Sequence, residues 1–81
     1  MIKIKLIVPK LLSSDQNLKG NTQILHLEYD NPVSVGQVLN DGKIKTTFLG
    51  FMVMDGKKNV NKKFLIDQSC ELKLYLVMAG G

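Results

Sequence analysis

A two-residue period of hydrophobicity constrains the fold of this chain more than any other feature. In residues 2–9 it places Ile4, Leu6 and Val8 on one face of an extended segment, and residues 23–29 repeat the alternation. Successive side chains of a strand point to opposite faces, so this period predicts strands with one face in a core. Most of the predicted elements are therefore strands.

One segment has a helical period instead. Ser34 stands at an N-cap position, and Val35, Val38 and Leu39 then recur at the i, i+3, i+4 spacing of one helical face. Asp41-Gly42 closes the segment, because glycine commonly follows the last helical turn. The sequence predicts one short helix.

The second half of the chain supplies further strands. Residues 48–54 form an apolar run bounded by the turn signal Asp55-Gly56, which favours a central strand. Residues 71–78 predict a last strand, and residues 10–22 a partly ordered loop with one helical turn. A short edge strand is predicted around Val60 and Phe64-Leu65-Ile66.

This order, strand, strand, helix, strand, short strand, strand, predicts an α+β fold. One helix packs on one face of a mixed sheet of four to five strands. We expect residues 1–81 to form a single domain, since chains of this length rarely divide. The last strand is expected beside the first and parallel to it, in the middle of the sheet.

Composition excludes several classes of function. The chain has one cysteine, Cys70, and one histidine, His26, so an internal disulfide and a metal-ligand cluster are not expected. No apolar stretch approaches the ~20 residues of a membrane span, and lysines interrupt the first apolar segment, which predicts a cytoplasmic protein without membrane association. The net charge of +4 comes from lysine without arginine, which argues against nucleic-acid recognition.

The sequence ends in Ala79-Gly80-Gly81, directly after the last predicted strand. Glycine offers no side chain to bury and loses much entropy when ordered, so these residues add little to a core. We expect residues 79–81 to form a flexible tail, slim enough to thread a narrow channel in another protein. The Gly81 carboxylate is then the reactive group.

The strand order with this ending resembles the ubiquitin-like β-grasp fold, and more closely the small bacterial sulfur carriers of the MoaD/ThiS family. Val53-Met54-Asp55-Gly56 is similar to a strand and turn of that family, and Glu71 to Tyr75 with Ala79-Gly80-Gly81 is similar to its final strand and tail. The ending Ala79-Gly80-Gly81 is more similar to that of the small subunit of molybdopterin synthase than to that of the thiamine sulfur carrier. Leu76 and Val77 stand where the family commonly has prolines, and this chain is basic where the family is usually acidic.

The resemblance implies a carrier rather than an enzyme, with no bound cofactor or metal. An adenylating enzyme of the MoeB/ThiF type would use ATP to activate the Gly81 carboxylate. A persulfide protein would then convert it to a thiocarboxylate. The Gly80-Gly81 tail would donate this sulfur inside a larger acceptor subunit, MoaE-like for molybdopterin or thiazole synthase-like for thiamine.

Such a carrier must dock on its partners. If Leu72, Leu74 and Leu76 face the core, the other face of the sheet carries exposed apolar residues. The expected docking residues are Phe51, Val53, Tyr75, Val77, Met78 and Ala79. An alternative is that Phe51 and Val53 belong to the core, because an apolar run does not fix its own register.

Other functions remain open from the sequence. The alternatives are a sulfur carrier for the thiamine thiazole or another thiolation pathway, a ubiquitin-like modifier joined to lysines, and a plain β-grasp binding module. Cys70 and His26 are weak candidates for chemistry, because a thiol nucleophile needs an activating base and a lone histidine needs a partner. We expect His26 to face solvent.

Overall fold

The predicted alternation forms a long antiparallel strand pair in the structure, a computed structural model that describes residues 1–77. The elements, in chain order, are β1 (Ile2–Pro9), a 3₁₀ helix (Lys10–Leu12), β2 (Thr22–Tyr29), β3 (Val33–Ser34), α1 (Val35–Asp41), β4 (Leu49–Met54), β5 (Lys58–Val60), β6 (Leu65–Ile66) and β7 (Cys70–Leu76). The helical turn expected between residues 10 and 22 is therefore present.

The main sheet has five strands in the order β2-β1-β7-β4-β5. β1 and β7 are parallel, with Leu6 beside Leu72, and the other neighbours are antiparallel. The predicted parallel pairing of the first and last strands is confirmed. The chain is thus an α+β domain with a mixed sheet over its described residues.

Helix α1 forms where the sequence predicts it. The Ser34 side chain accepts a hydrogen bond from the backbone N–H of Gln37 at 3.1 Å, which satisfies one of the free donors of the first turn. The helix ends at Gly42, whose N–H donates to the carbonyl of Val38 at 2.9 Å. Its apolar stripe is fully buried and covers one face of the main sheet.

The core lies between α1 and that face of the sheet. Its side chains come from alternate positions of β1 and β7, from the α1 stripe, and from single positions of other elements. The most deeply buried are Ile4, Leu6, Val8, Leu12, Val35, Val38, Ile66, Leu72 and Leu74. The inward residues expected from the two-residue period therefore reach the core.

Two sequence predictions need correction, the single short edge strand and the bounds of the last strand. The single short edge strand is in fact two elements, because Asn61 to Lys63 form a turn that separates β5 from β6. β5 is the edge of the main sheet, whereas β6 pairs with β3 in a separate two-stranded sheet. β4 lies inside the sheet between β7 and β5, as predicted for a central strand, and β7 holds the centre. The last strand begins at Cys70 instead of Glu71 and ends at Leu76, before Val77, while the predicted strand residue Met78 lies outside the described residues.

Candidate docking surface and tail exit

The face of the main sheet that points away from α1, here called the open face, carries a strip of apolar side chains. Strand register puts Ile24 beside Ile7, Ile7 beside Lys73, and Lys73 beside Val53. Phe51 and Tyr75 form the next row on the same face. The open-face strip is thus made of Ile7, Ile24, Phe51, Val53 and Tyr75, with the Lys73 side chain among them.

Two aromatic rings stack on each other within the open-face strip. Phe51 and Tyr75 stack with ring centroids 4.5 Å apart and an angle of 7° between the ring planes. The Lys73 ammonium lies 5.3 Å from the centroid of the Tyr75 ring, within the range of a cation–π contact. Phe51 remains 44% exposed. The alternative that Phe51 is a core residue is therefore wrong, and Val53 is half-buried on the same open face.

Charged side chains border the open-face strip. Lys5 and Glu71 stand opposite one another on β1 and β7, with their charged groups 3.9 Å apart and about two-fifths of each side chain exposed. An exposed pair of this kind is largely screened by water and salt, so it contributes little to folding. His26 is exposed beside Lys5 on β2, as expected. The apolar strip thus has a polar border, as docking surfaces usually do.

The end of β7 is held against β4 by a bulge at Gly50. The pairing of the two strands shifts between Leu49 and Phe51. A Cβ at Gly50 would lie 2.7 Å from the carbonyl oxygen of Leu76, so only glycine allows this close approach. The N–H of Val77 also donates to the carbonyl of Phe48 at 2.8 Å. The chain therefore leaves the sheet in a fixed position.

Val77, the last described residue, is 52% exposed and stands two positions after Tyr75 in the chain. Of the predicted docking residues, the structure brings Phe51, Val53 and Tyr75 together on the open face and places Val77 at the end of β7. The predicted residues Met78, Ala79, Gly80 and Gly81 lie outside the described residues. The open-face strip therefore lies next to the point where the chain leaves the sheet, here called the tail exit.

The turn after β4 was predicted from Asp55-Gly56, and it also holds the start of β7 in place. Asp55 and Gly56 both have positive φ, 53° and 68°, as a tight hairpin turn requires. The N–H of Asp55 donates to the carbonyl of Glu71 at 2.8 Å, and its carboxylate accepts from the N–H of Glu71 at 2.9 Å. Asp55 therefore fixes the start of β7, as Gly50 fixes its end.

Cys70 does not have the surroundings of a nucleophile. It is half-buried at the start of β7, and burial, with a smaller contribution from the negative charge of Asp55, raises the pKa of its thiol. A raised pKa keeps the thiol protonated and unreactive. Cys70 lines a cavity of about 270 Å³ with Met54, Phe64 and Ile66, which is consistent with the passive role predicted for it.

Within residues 1–77, Tyr29 is the other titratable group with a shifted pKa. Burial, a hydrogen bond from its hydroxyl to the Asp41 carboxylate at 2.7 Å and the charge of that carboxylate all raise the pKa of Tyr29. This bond joins the end of β2 to the end of α1. Tyr29 therefore keeps its proton and has a structural role.

Sequence reasoning missed Ile7 and Ile24 as part of the open-face strip. The sequence contained a signal for both, because the two-residue period puts each of them on the outward face of its strand. Their proximity to Phe51 and Tyr75 depends on strand order, which the period does not give. The surface could therefore be predicted only in part.

Comparison of the chain with protein-family models, curated proteins and solved structures finds no match. Among residues 1–77, no helix has the length and hydropathy of a membrane span. In the same residues, no three His, Cys, Asp or Glu side chains are grouped so that they could hold a metal ion. The geometry of the open face and of the tail exit is therefore the basis for a functional proposal.

Proposed function

We propose that this chain is a sulfur carrier with a ubiquitin-like β-grasp fold, and that its Gly81 carboxylate is converted to a thiocarboxylate. The observation that carries the proposal is the arrangement at the end of β7. This central strand leads, past a position fixed by Gly50, into the sequence Ala79-Gly80-Gly81. An exposed aromatic stack lies just before that exit, where a partner enzyme could hold the domain while the tail enters its active site.

The proposed chemistry proceeds in steps on partner proteins. An oxygen of the Gly81 carboxylate attacks the α-phosphorus of ATP on a MoeB/ThiF-like enzyme, and pyrophosphate leaves. The terminal sulfur of a protein persulfide then attacks the acyl carbon, and AMP leaves. A second thiol cleaves the resulting acyl disulfide, which yields the thiocarboxylate and a protein disulfide. The carrier supplies the acyl group and its partners supply the catalytic groups.

We propose molybdopterin synthesis as the pathway, with a MoaE-like subunit as the acceptor of the sulfur. The tail residues Ala79-Gly80-Gly81 support this choice over the thiamine pathway, whose carriers often end in three glycines. Activation by ATP and a persulfide fits a cytoplasmic protein. The net charge of +4 favours those adenylating enzymes and acceptor subunits whose surface charge is complementary to it, because charge complementarity determines which proteins associate.

The intact mass of the protein tests the chemistry. We expect incubation with ATP, a persulfide donor and a cognate adenylating enzyme to add about 16 Da, the difference between sulfur and oxygen, since an exposed terminus is accessible to such enzymes. Reactions without ATP give no gain. Proteins conjugated through Gly81 to lysines in a cell extract would instead indicate a modifier, and no change with several cognate enzymes would favour a binding module.

Replacing Phe51 with alanine tests the docking surface. We expect Phe51→Ala to weaken binding to the adenylating enzyme at least about tenfold, because exposed aromatic side chains often dominate interfaces. Stability should fall by only about 1 kcal/mol, the value of a stacked aromatic pair. Isothermal titration and thermal unfolding measure the two effects.

The matched control is Leu65→Ala, which removes a side chain that is 58% exposed but lies in the two-stranded sheet. It should leave binding unchanged. The docking proposal is wrong if Phe51→Ala binds the enzyme as tightly as the unaltered chain, or if Leu65→Ala weakens binding equally.

A further inference from the structure

The two edges of the main sheet are protected very differently. β5 has only three residues, Lys58–Val60, and Lys57 precedes it, so short length and lysines discourage another strand from pairing there. β2 has eight residues in unbroken register with β1, from Thr22 to Tyr29. It contains no lysine, proline or bulge. The β2 edge therefore lacks the usual protection against strand pairing.

The backbone groups at the β2 edge can be assigned from its pairing. The N–H of Lys10 donates to the carbonyl of Asn21 at 2.9 Å, so the backbone groups of Asn21 face β1. Backbone groups alternate along a strand, and those of Ile24, His26 and Glu28 therefore face the free edge. Within residues 1–77, no other strand or loop supplies a backbone hydrogen bond to them.

Side chains at the β2 edge also remain incompletely covered. Leu25, Leu27 and Tyr29 point to the core side of the sheet, yet each is only half-buried because none of the described strands lies beyond β2. Ile24, on the open face, is 51% exposed. A further strand at this edge would bury apolar area and satisfy the free backbone groups at the same time.

We propose that β2 pairs antiparallel with β2 of a second copy of this chain, with Leu27 at the two-fold axis. In this register the imidazole of His26 faces the carboxylate of Glu28 of the partner subunit, and the same pair recurs across the axis. Both residues have backbone groups that face the free edge. On the core side, Leu25 meets Tyr29 of the partner subunit, and the two Leu27 side chains meet each other. A sequence that complements itself in this way favours its own copy as the occupant.

Neighbouring registers fit less well. An axis at His26 places two histidines opposite each other and Glu28 opposite Ile24 of the partner subunit. An axis at Leu25 places Gln23 opposite Leu27 of the partner subunit on the core side. The register centred on Leu27 is the one that pairs an imidazole with a carboxylate on the open side and gives apolar contact on the core side.

The expected dimer is weak, because one pair of strands buries less area than a standard stable interface. We expect a dissociation constant of about 100 µM. Sedimentation equilibrium from about 10 µM to about 1 mM should span this value, and the average mass should rise with concentration. The mass at the low end should approach that of the 9.0 kDa monomer.

A charge exchange tests the register. His26→Glu places two carboxylates opposite each other at both positions, and we expect the dissociation constant to rise at least about tenfold. Adding Glu28→Lys to that variant places opposite charges across the axis, and dimerisation should return. Both side chains are exposed, so the single and double variants should unfold at the same denaturant concentration as the unaltered chain.

Three results would overturn the proposal. The first is a constant monomer mass of 9.0 kDa at about 1 mM protein. The second is a dimer that His26→Glu leaves unchanged, which would place the contact on another surface. The third is a double variant that stays monomeric, because a register centred on Leu27 requires rescue. None of these readouts depends on sulfur transfer, so this inference and the proposed function can fail separately.

Discussion

Alanine at position 72 is expected to remove about 3–5 kcal/mol of folding free energy. Leu72 is fully buried in the central strand, beside Leu6 of β1 on one side and Met54 of β4 on the other. Truncation to alanine loses the transfer free energy of the removed carbons and leaves a cavity that a sheet centre cannot close. A domain of this size has a total stability of only about 4–12 kcal/mol, so this substitution removes a large fraction of it.

Denaturant unfolding measures this loss, and two variants control for other causes. Lys73→Ala changes the next residue of β7 on the exposed side and should cost less than about 1 kcal/mol. Leu72→Met keeps the side-chain volume and should cost less than about 1.5 kcal/mol. If Leu72→Ala unfolds at the same denaturant concentration as Lys73→Ala, Leu72 does not belong to the core and the assignment of the two faces of β7 is wrong.

Removing Gly81 is expected to abolish the gain of sulfur. The shortened chain still ends in a glycine carboxylate, on Gly80, so its chemical reactivity is unchanged. Its reach is shorter by about 3.5 Å, the length of one extended residue. Misplacement of a reacting group by even about 1 Å can lower a rate a hundredfold, so the carboxylate should no longer meet the α-phosphorus of ATP.

A second variant separates the reach of the tail from its width. Gly80→Val keeps the length but adds a branched side chain that a narrow channel would exclude, and it too should gain no sulfur. Intact mass reports both results, and binding to the adenylating enzyme should persist, because the open-face strip is unchanged. Full conversion of the chain that lacks Gly81 would contradict the proposed use of the tail.

The elements that local sequence determines could be predicted. The period of residues 2–9 and 23–29 placed the inward side chains of β1 and β2, and Ser34 marked the start of α1. Each of these signals depends on neighbouring residues alone. The buried face of β1, of β2 and of α1 therefore agrees with the structure.

The remaining features depend on residues far apart in the chain. Residues 48–54 are apolar on both sides, so their register could be set only by the bulge at Gly50 against Leu76. β3 and β6 have two residues each, too few for a period. Phe51 and Tyr75 were predicted to share one surface. The extension of that surface to Ile24 depends on the order of the four strands β4, β7, β1 and β2. Non-local pairing explains these gaps.

The position of β7 has a consequence for synthesis of the protein on the ribosome. Of the described strands, the one that is made last occupies the centre of the sheet, between β1 and β4. Until residues 70–76 emerge, the pair β1–β2 and the pair β4–β5 have no strand to join them, and each exposes an unpaired edge. Folding of the main sheet must therefore await residues 70–76, and contacts this distant in sequence form slowly. A nascent chain stalled before β7 would be a target for chaperones rather than a partly finished domain.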